Sequence, residues 1–138
     1  MRLLAPPRPL PRTLVEQRGG LIFLRIGCAS CHFPALVTGP NSVAALSLKI
    51  VRPYTDLLLH DMGPDLADIC LGRAEPTEFR TEPLMGLRFK TAFLHDGRAT
   101  SIEQAIDFHA GEGAAARDRF EALPVGERAA IVRFLRGL

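Results

Sequence analysis

Cys28-Ala29-Ser30-Cys31-His32 is the stretch whose residue types and spacing dictate a chemistry most directly. Two thiols with two residues between them can be presented by one helical turn. Each can then add to one of the two vinyl groups on one side of a porphyrin. The imidazole of the next residue faces the iron from the proximal side. The pattern predicts one haem c, covalently attached through Cys28 and Cys31, with His32 as an axial ligand. Two rival chemistries also use paired cysteines. A structural zinc site needs a second Cys or His pair at matching spacing, and Cys70 has no such neighbour. A thioredoxin-like redox pair needs a strand before it and a βαβ frame, whereas a helix is expected here.

Four side chains are candidates for the other face of the iron: His60, Met62, His95 and His109. Met62 suits His/Met ligation, which raises the potential, and equally suits ordinary core packing. His109 falls on one helical face with Ile102, Ala105 and Ile106. A histidine on such a face is commonly a hydrogen-bonded core residue. The ring nitrogen of His32 that points away from iron needs an acceptor, usually a backbone carbonyl. Pro34 and Pro40 offer the nearest rigidly held ones. Arg80, Arg88 and Arg98 are suited either to haem propionates or to a solvated surface.

The elements that must position these groups are mostly helical. Thr13-Leu14-Val15-Glu16 is a capping box. Val15, Gly19, Ile22, Phe23 and Ile26 follow at helical spacing, an apolar face with a glycine dent. Gly27 ends that helix just before Cys28. Residues 33–83 are rich in proline and glycine and read as loop, with short helical pieces near Val43–Leu48, Pro53–His60 and Pro83–Leu87. Thr100-Ser101-Ile102-Glu103 is a second capping box, with Gly111 as the stop. A third helix covers about Ala114–Ala122. A last one opens with Pro124 and carries Ile131, Phe134, Leu135 and Leu138 as its apolar stripe. The first and last helices are expected to cross near the haem. No β-alternation is legible, so the expected class is all-α: a cytochrome c-like domain with long irregular loops, spanning residues 13–138 behind a Pro-rich tail at 1–12.

Composition sets the outer limits. The chain has 138 residues, consistent with one domain. Its formal charge is +2 and its basic residues form no block, so nucleic acid is not an expected partner. Three cysteines leave Cys70 outside the motif, where it reads as a small buried apolar residue. Residues 1–12 carry prolines and no apolar core of a signal peptide, and no transmembrane span is legible. Haem c is ordinarily attached outside the cytoplasm. The expectation is therefore an exported, periplasmic protein, either with a start further upstream or as a piece of a longer chain.

From about Gly19 to Leu138 the chain resembles the C-terminal haem domain of bacterial di-haem oxidoreductases, often called di-haem thiol oxidoreductases, relatives of the di-haem cytochrome c peroxidases. The resemblance is carried by Gly19-x-x-x-Phe23 ahead of Gly27 to Pro34, by Tyr54-Thr55-Asp56-Leu57-Leu58-Leu59-His60-Asp61-Met62-Gly63-Pro64, and by Glu78-Phe79-Arg80-Thr81. Leu94-His95-Asp96-Gly97-Arg98-Ala99 and Ile102-Glu103-Gln104-Ala105-Ile106-x-x-His109 complete it. In the peroxidase relatives the distal ligand follows the helix after the His-Asp-Gly turn and is typically Met. The matching position is His109, so the resemblance implies ligation by His32 and His109, with the Met62 segment lying alongside. It also implies that His95 sits near a path between two haems. The relatives carry a second Cys-x-x-Cys-His in an N-terminal domain that handles substrate, and this chain has one such motif. The resemblance thus implies the electron-relay half, working with a second haem domain or another redox protein. The rival expectations are an enzyme whose other haem domain is separate or lost, and a gene fragment that does not mature.

Overall fold

Thr13 opens the first helix as expected. Its hydroxyl accepts from the Glu16 N–H at 3.4 Å, and Glu16 Oε2 takes the Thr13 N–H at 2.7 Å. The helix, α1, runs Leu14–Arg25 and ends at Gly27, whose φ of 97° needs a residue without a Cβ. The structure, a computed structural model, describes residues 9–69 and 72–138. Cys70 and residues 1–8 of the Pro-rich segment lie outside the described residues. Of that segment's remainder, the Leu10 N–H donates to the Gly137 carbonyl at 3.0 Å.

Among the described residues, the long middle of the chain holds four short strands: β1 (Leu36–Val37), β2 (Ile50–Val51), β3 (Leu59–Asp61) and β4 (Glu78–Arg80). β1 pairs antiparallel with β2, and β3 with β4, with His60 opposite Phe79. The helical part then resumes with α2 (Ile102–Asp107), α3 (Ala114–Glu121) and α4 (Val125–Arg136). Single turns of 3-10 helix lie between them, among them Ala44–Leu46 and Leu87–Phe89, close to two of the expected helical pieces.

The all-α expectation is therefore wrong, and the protein mixes helices with two small antiparallel sheets. The physical reason is strand length. Two or three residues cannot display a period of two, and their partners lie far off in sequence, so no local pattern announces them. A short helix is expected over residues 53–60, a stretch that contains the helix-favouring Leu57-Leu58-Leu59. Tyr54 (φ 56°) and Leu57 (φ 66°) instead take left-handed backbone, and Leu59 enters β3. Tertiary pairing overrides propensity here.

α1 and α4 form the core crossing. A Cβ at Gly19 would overlap the Ala130 carbonyl oxygen, so the glycine dent is where the two backbones touch. Ile22, Phe23 and Ile26 of the first helix segment meet Ile131, Phe134 and Leu135 of α4, all buried. Burying side chains of this size contributes roughly 1.5–3 kcal/mol each. Outside the crossing, Glu127 receives Arg18 and Arg25 from α1, both at 2.8 Å. Tyr54, Phe120 and Leu138 close the same core. His32 projects from the turn after α1 against this layer, its ring centre 6.4 Å from that of Phe23.

Candidate haem site

The turn Cys28–Ser30 follows Gly27 directly, and the His32 N–H donates to the Cys28 carbonyl at 3.0 Å. This single turn sets Cys28, Cys31 and His32 in one short arc. The two cysteines are free and part-buried. Burial pushes the Cys28 thiol up to about 11. It also raises Cys31, with the carboxylates of Asp56 and Glu112 adding to the effect. Both sulfurs are thus protonated at neutral pH, the form that resists stray oxidation and metal capture.

His32 is neutral, because burial lowers it to about 4, against the pull of the Tyr54 backbone. Its Nδ1 lies 3.1 Å from the Tyr54 carbonyl oxygen. With Nδ1 as donor, the lone pair is at Nε2, the nitrogen a metal would take. The expected acceptors, Pro34 and Pro40, do not fill this role. Tyr54 does so from 22 positions away in sequence.

His109 mirrors this arrangement. α2 ends at Asp107, with Phe108 as its cap, so His109 stands just past the helix rather than on it. Its N–H donates to the Ile106 carbonyl at 2.9 Å, and its Nδ1 reaches the Ala105 carbonyl at 2.8 Å. Burial lowers its pKa too, with Arg117 contributing. The ring centres of His32 and His109 are 6.3 Å apart, inclined at 45°. The structure thus brings together two neutral imidazoles, each with Nδ1 tied down.

The remaining candidates sit differently. Met62 follows β3, its N–H donating to the Thr77 carbonyl at 2.9 Å. Its Cε lies beside Gly113, as does the His109 ring, so Met62 borders the same space. His60 is committed at both nitrogens, to Asp56 Oδ2 at 2.9 Å and Glu112 Oε2 at 2.8 Å. Glu112 and then Asp56 raise its pKa. A ring nitrogen of His60, an Asp56 oxygen and the Cys31 sulfur all lie within 4.8 Å of one another, yet the imidazole is already spent on carboxylates. His95 stacks on Phe79 at 4.7 Å and faces Asp68 at 3.2 Å, within the turn Leu94–Gly97. Arg98 pairs with Asp96, donates to the Asp65 carbonyl at 2.7 Å and lies over the Phe108 ring. Arg80 is exposed on β4. Arg88 reaches the Leu138 carbonyl oxygen at 3.3 Å.

The donor set fits a haem. Two imidazoles lie with ring centres 6.3 Å apart, each with Nδ1 on a backbone carbonyl, and two thiols stand beside the first, whose ring also feels the Glu82 backbone. His32 and His109 would hold the iron of such a group, and Cys28 and Cys31 would attach its vinyl groups. A buried, unpartnered hydroxyl, Thr81 Oγ1, lies next to the same region. Against the opposing effect of burial, the Leu58 N–H and then the His60 ring hold the nearby Asp56 carboxyl below its ordinary value.

Residues 4–138 match the family described as "Di-haem oxidoreductase, putative peroxidase", and the chain belongs to that family. It is accordingly a haem protein of the di-haem oxidoreductase kind. Two solved structures share its fold. One is hydrazine synthase of Kuenenia stuttgartiensis, with a TM-score of 0.54 and 18% identity over 91% of this chain and 46% of that one. The other is a MauG-like protein associated with microbial copper homeostasis, with a TM-score of 0.55 and 23% identity over 93% and 47%. The chain therefore spans about half the length of either protein. No curated protein matches it. Among the described residues, no helix is long and apolar enough to cross a membrane.

Proposed function

We propose that Cys28 and Cys31 hold one haem c covalently, that His32 and His109 are its axial ligands, and that the chain relays single electrons as one half of a di-haem oxidoreductase. The facing pair His32 and His109, with ring centres 6.3 Å apart, carries this reading. When bound, the haem supplies a one-electron iron couple. The chain's own groups prepare for it. The Tyr54 and Ala105 carbonyls hold the two imidazoles in the tautomer that leaves Nε2 free and raise their basicity as ligands. Phe23 and the core behind it keep water from the back of His32. Two axial imidazoles leave no place for peroxide, which favours relay over turnover. Met62, beside His109, is the alternative distal ligand.

The partner in this reading is a second haem domain or a separate redox protein, and the compartment is periplasmic, where haem c attachment takes place. The test is the intact mass and pyridine haemochrome spectrum of the chain made in a cell competent for cytochrome c assembly. The expected mass exceeds that of the polypeptide by one haem, and Cys28→Ala with Cys31→Ala abolishes the gain. A mass equal to the bare polypeptide overturns the reading. A second reading, in keeping with a match over about half the length of the solved structures, makes the chain part of a peroxidase-type enzyme whose other haem domain is separate. Peroxide turnover appearing only when a second haem domain is added would favour it.

A further inference from the structure

We propose that His60 is a positioning residue that clasps together the two loops carrying the axial imidazoles. The proposal rests on reading His32 and His109 as the axial pair. The His60 ring reaches in two directions. On one side, Nε2 meets Asp56 Oδ2 at 2.9 Å. Asp56 sits two residues after Tyr54, whose carbonyl orients His32, and its other oxygen takes the Leu58 N–H at 3.0 Å. On the other side, Nδ1 meets Glu112 Oε2 at 2.8 Å, and the second Glu112 oxygen takes the Asp61 N–H at 3.1 Å. Glu112 stands three residues after His109. One imidazole on β3 therefore links the segment that aims His32 to the segment that presents His109.

The backbone shows that this seam is close-fitting. A Cβ at Gly111 would overlap the Asp61 carbonyl oxygen, and one at Gly63 would come within 2.9 Å of the Ala110 side chain. The residues flanking the clasp, Tyr54, Leu57 and Gly111, all take positive φ, at 56°, 66° and 50°. Left-handed backbone at Tyr54 and Leu57 persists only where surrounding contacts hold it. α2 stops before His109, and the segment that carries it continues only through turn bonds, His109 N–H to the Ile106 carbonyl and Gly113 N–H to the Ala110 carbonyl, into the single 3-10 turn Gly111–Gly113. The Glu112–His60–Asp56 chain ties that turn to the other side of the site.

Glu112→Ala is the practical variant, because the Glu112 side chain is 55% exposed and its removal opens no core. The holoprotein is prepared with its haem attached. The rate at which cyanide displaces the distal ligand of the ferric form is then measured, beside far-UV circular dichroism and thermal stability. The expected result is displacement faster by roughly three- to tenfold, as follows from losing the two hydrogen bonds of a half-exposed carboxylate, to His60 and to the Asp61 N–H. His60→Ala should show the same increase, and the double variant should be no faster than either single one. Hydrogen exchange of unaltered protein gives a second readout: the amides of 61–63 and 110–113 should open as one unit. Displacement rates within about twofold of the parent, or effects of the two variants that multiply, overturn the proposal. His109→Ala separates the two levels. A low-spin spectrum that survives it defeats the axial reading itself. A high-spin spectrum together with unchanged rates in Glu112→Ala defeats the clasp alone.

Discussion

Tyr54 holds its carbonyl oxygen 3.1 Å from Nδ1 of His32 while its own backbone sits at a φ of 56°. For a bulky residue that conformation costs about 1–3 kcal/mol. The side chain offsets it. The ring packs edge-on against Phe23 and Phe134, at 6.3 and 5.9 Å, and the hydroxyl accepts from Arg12 at 2.9 Å. A core aromatic thus fixes the direction of a carbonyl, and that carbonyl fixes the imidazole.

Tyr54→Ala should accordingly do two things at once. Loss of the buried ring should destabilise the holoprotein by roughly 3–5 kcal/mol in chemical denaturation. The freed loop should also broaden the His32 ring resonances or split the haem absorption bands. Tyr54→Phe keeps the ring and loses only the Arg12 bond, so it should retain the parent spectrum. If both variants show the parent spectrum, the Tyr54 carbonyl does not govern the orientation of His32.

The distal ligand is the next test. His109→Ala removes a ring whose Nδ1 already holds the Ala105 carbonyl at 2.8 Å. The expected outcome is conversion of ferric haem from low to high spin, read by absorption and electron paramagnetic resonance, with covalent attachment intact. Met62→Ala should leave the low-spin spectrum in place. The reverse pattern would assign the ligand to Met62.

Gly19 and Gly126 form a matched pair of substitutions. A Cβ at Gly19 would overlap the Ala130 carbonyl oxygen, whereas one at Gly126 meets nothing within 4 Å. Gly19→Ala should force α1 from α4 and cost at least about 1–3 kcal/mol, the range for overpacking. Gly126→Ala, within a helix and facing open space, should stabilise by about 0.4–1 kcal/mol. Equal denaturation midpoints for the two variants would show that the crossing is looser than the structure has it.

What the sequence disclosed and what it hid divide along separation in the chain. The turn at Cys28, the Thr13 cap and the Gly27 stop are local and appear where their residues predict, and Pro124 stands one position earlier than expected, as the N-cap of α4. The second capping box is nearly so: Ser101, not Thr100, is the cap, and Gln104 reaches back to the Thr100 N–H in place of Glu103. The carbonyl for His32 was not legible, because nothing local marks Tyr54 as its source. The acidic partners of His60 were hidden for the same reason, since Glu112 lies 52 positions away. Strands of two or three residues left no periodic trace, and the helical piece expected at residues 53–60 is excluded by the left-handed backbone at Tyr54 and Leu57.

Glu127 gives a prediction in which the sign can be worked out beforehand. It sits in the first turn of α4, where a carboxylate also favours the helix dipole. Hydrogen bonds from Arg18 and then Arg25 hold its pKa below the ordinary 4.5. A carboxyl whose folded pKa is depressed stabilises the fold above its unfolded value and loses that contribution as pH falls through the folded one. The melting temperature of Glu127→Gln should therefore lie below that of the parent at pH 7. The gap should begin to close below pH 4.5 and vanish once the folded carboxyl is protonated. Both arginines are largely exposed, so salt should narrow the gap at pH 7 as well. A gap that stayed constant across pH and salt would mean that Glu127 joins α1 to α4 by shape rather than by charge.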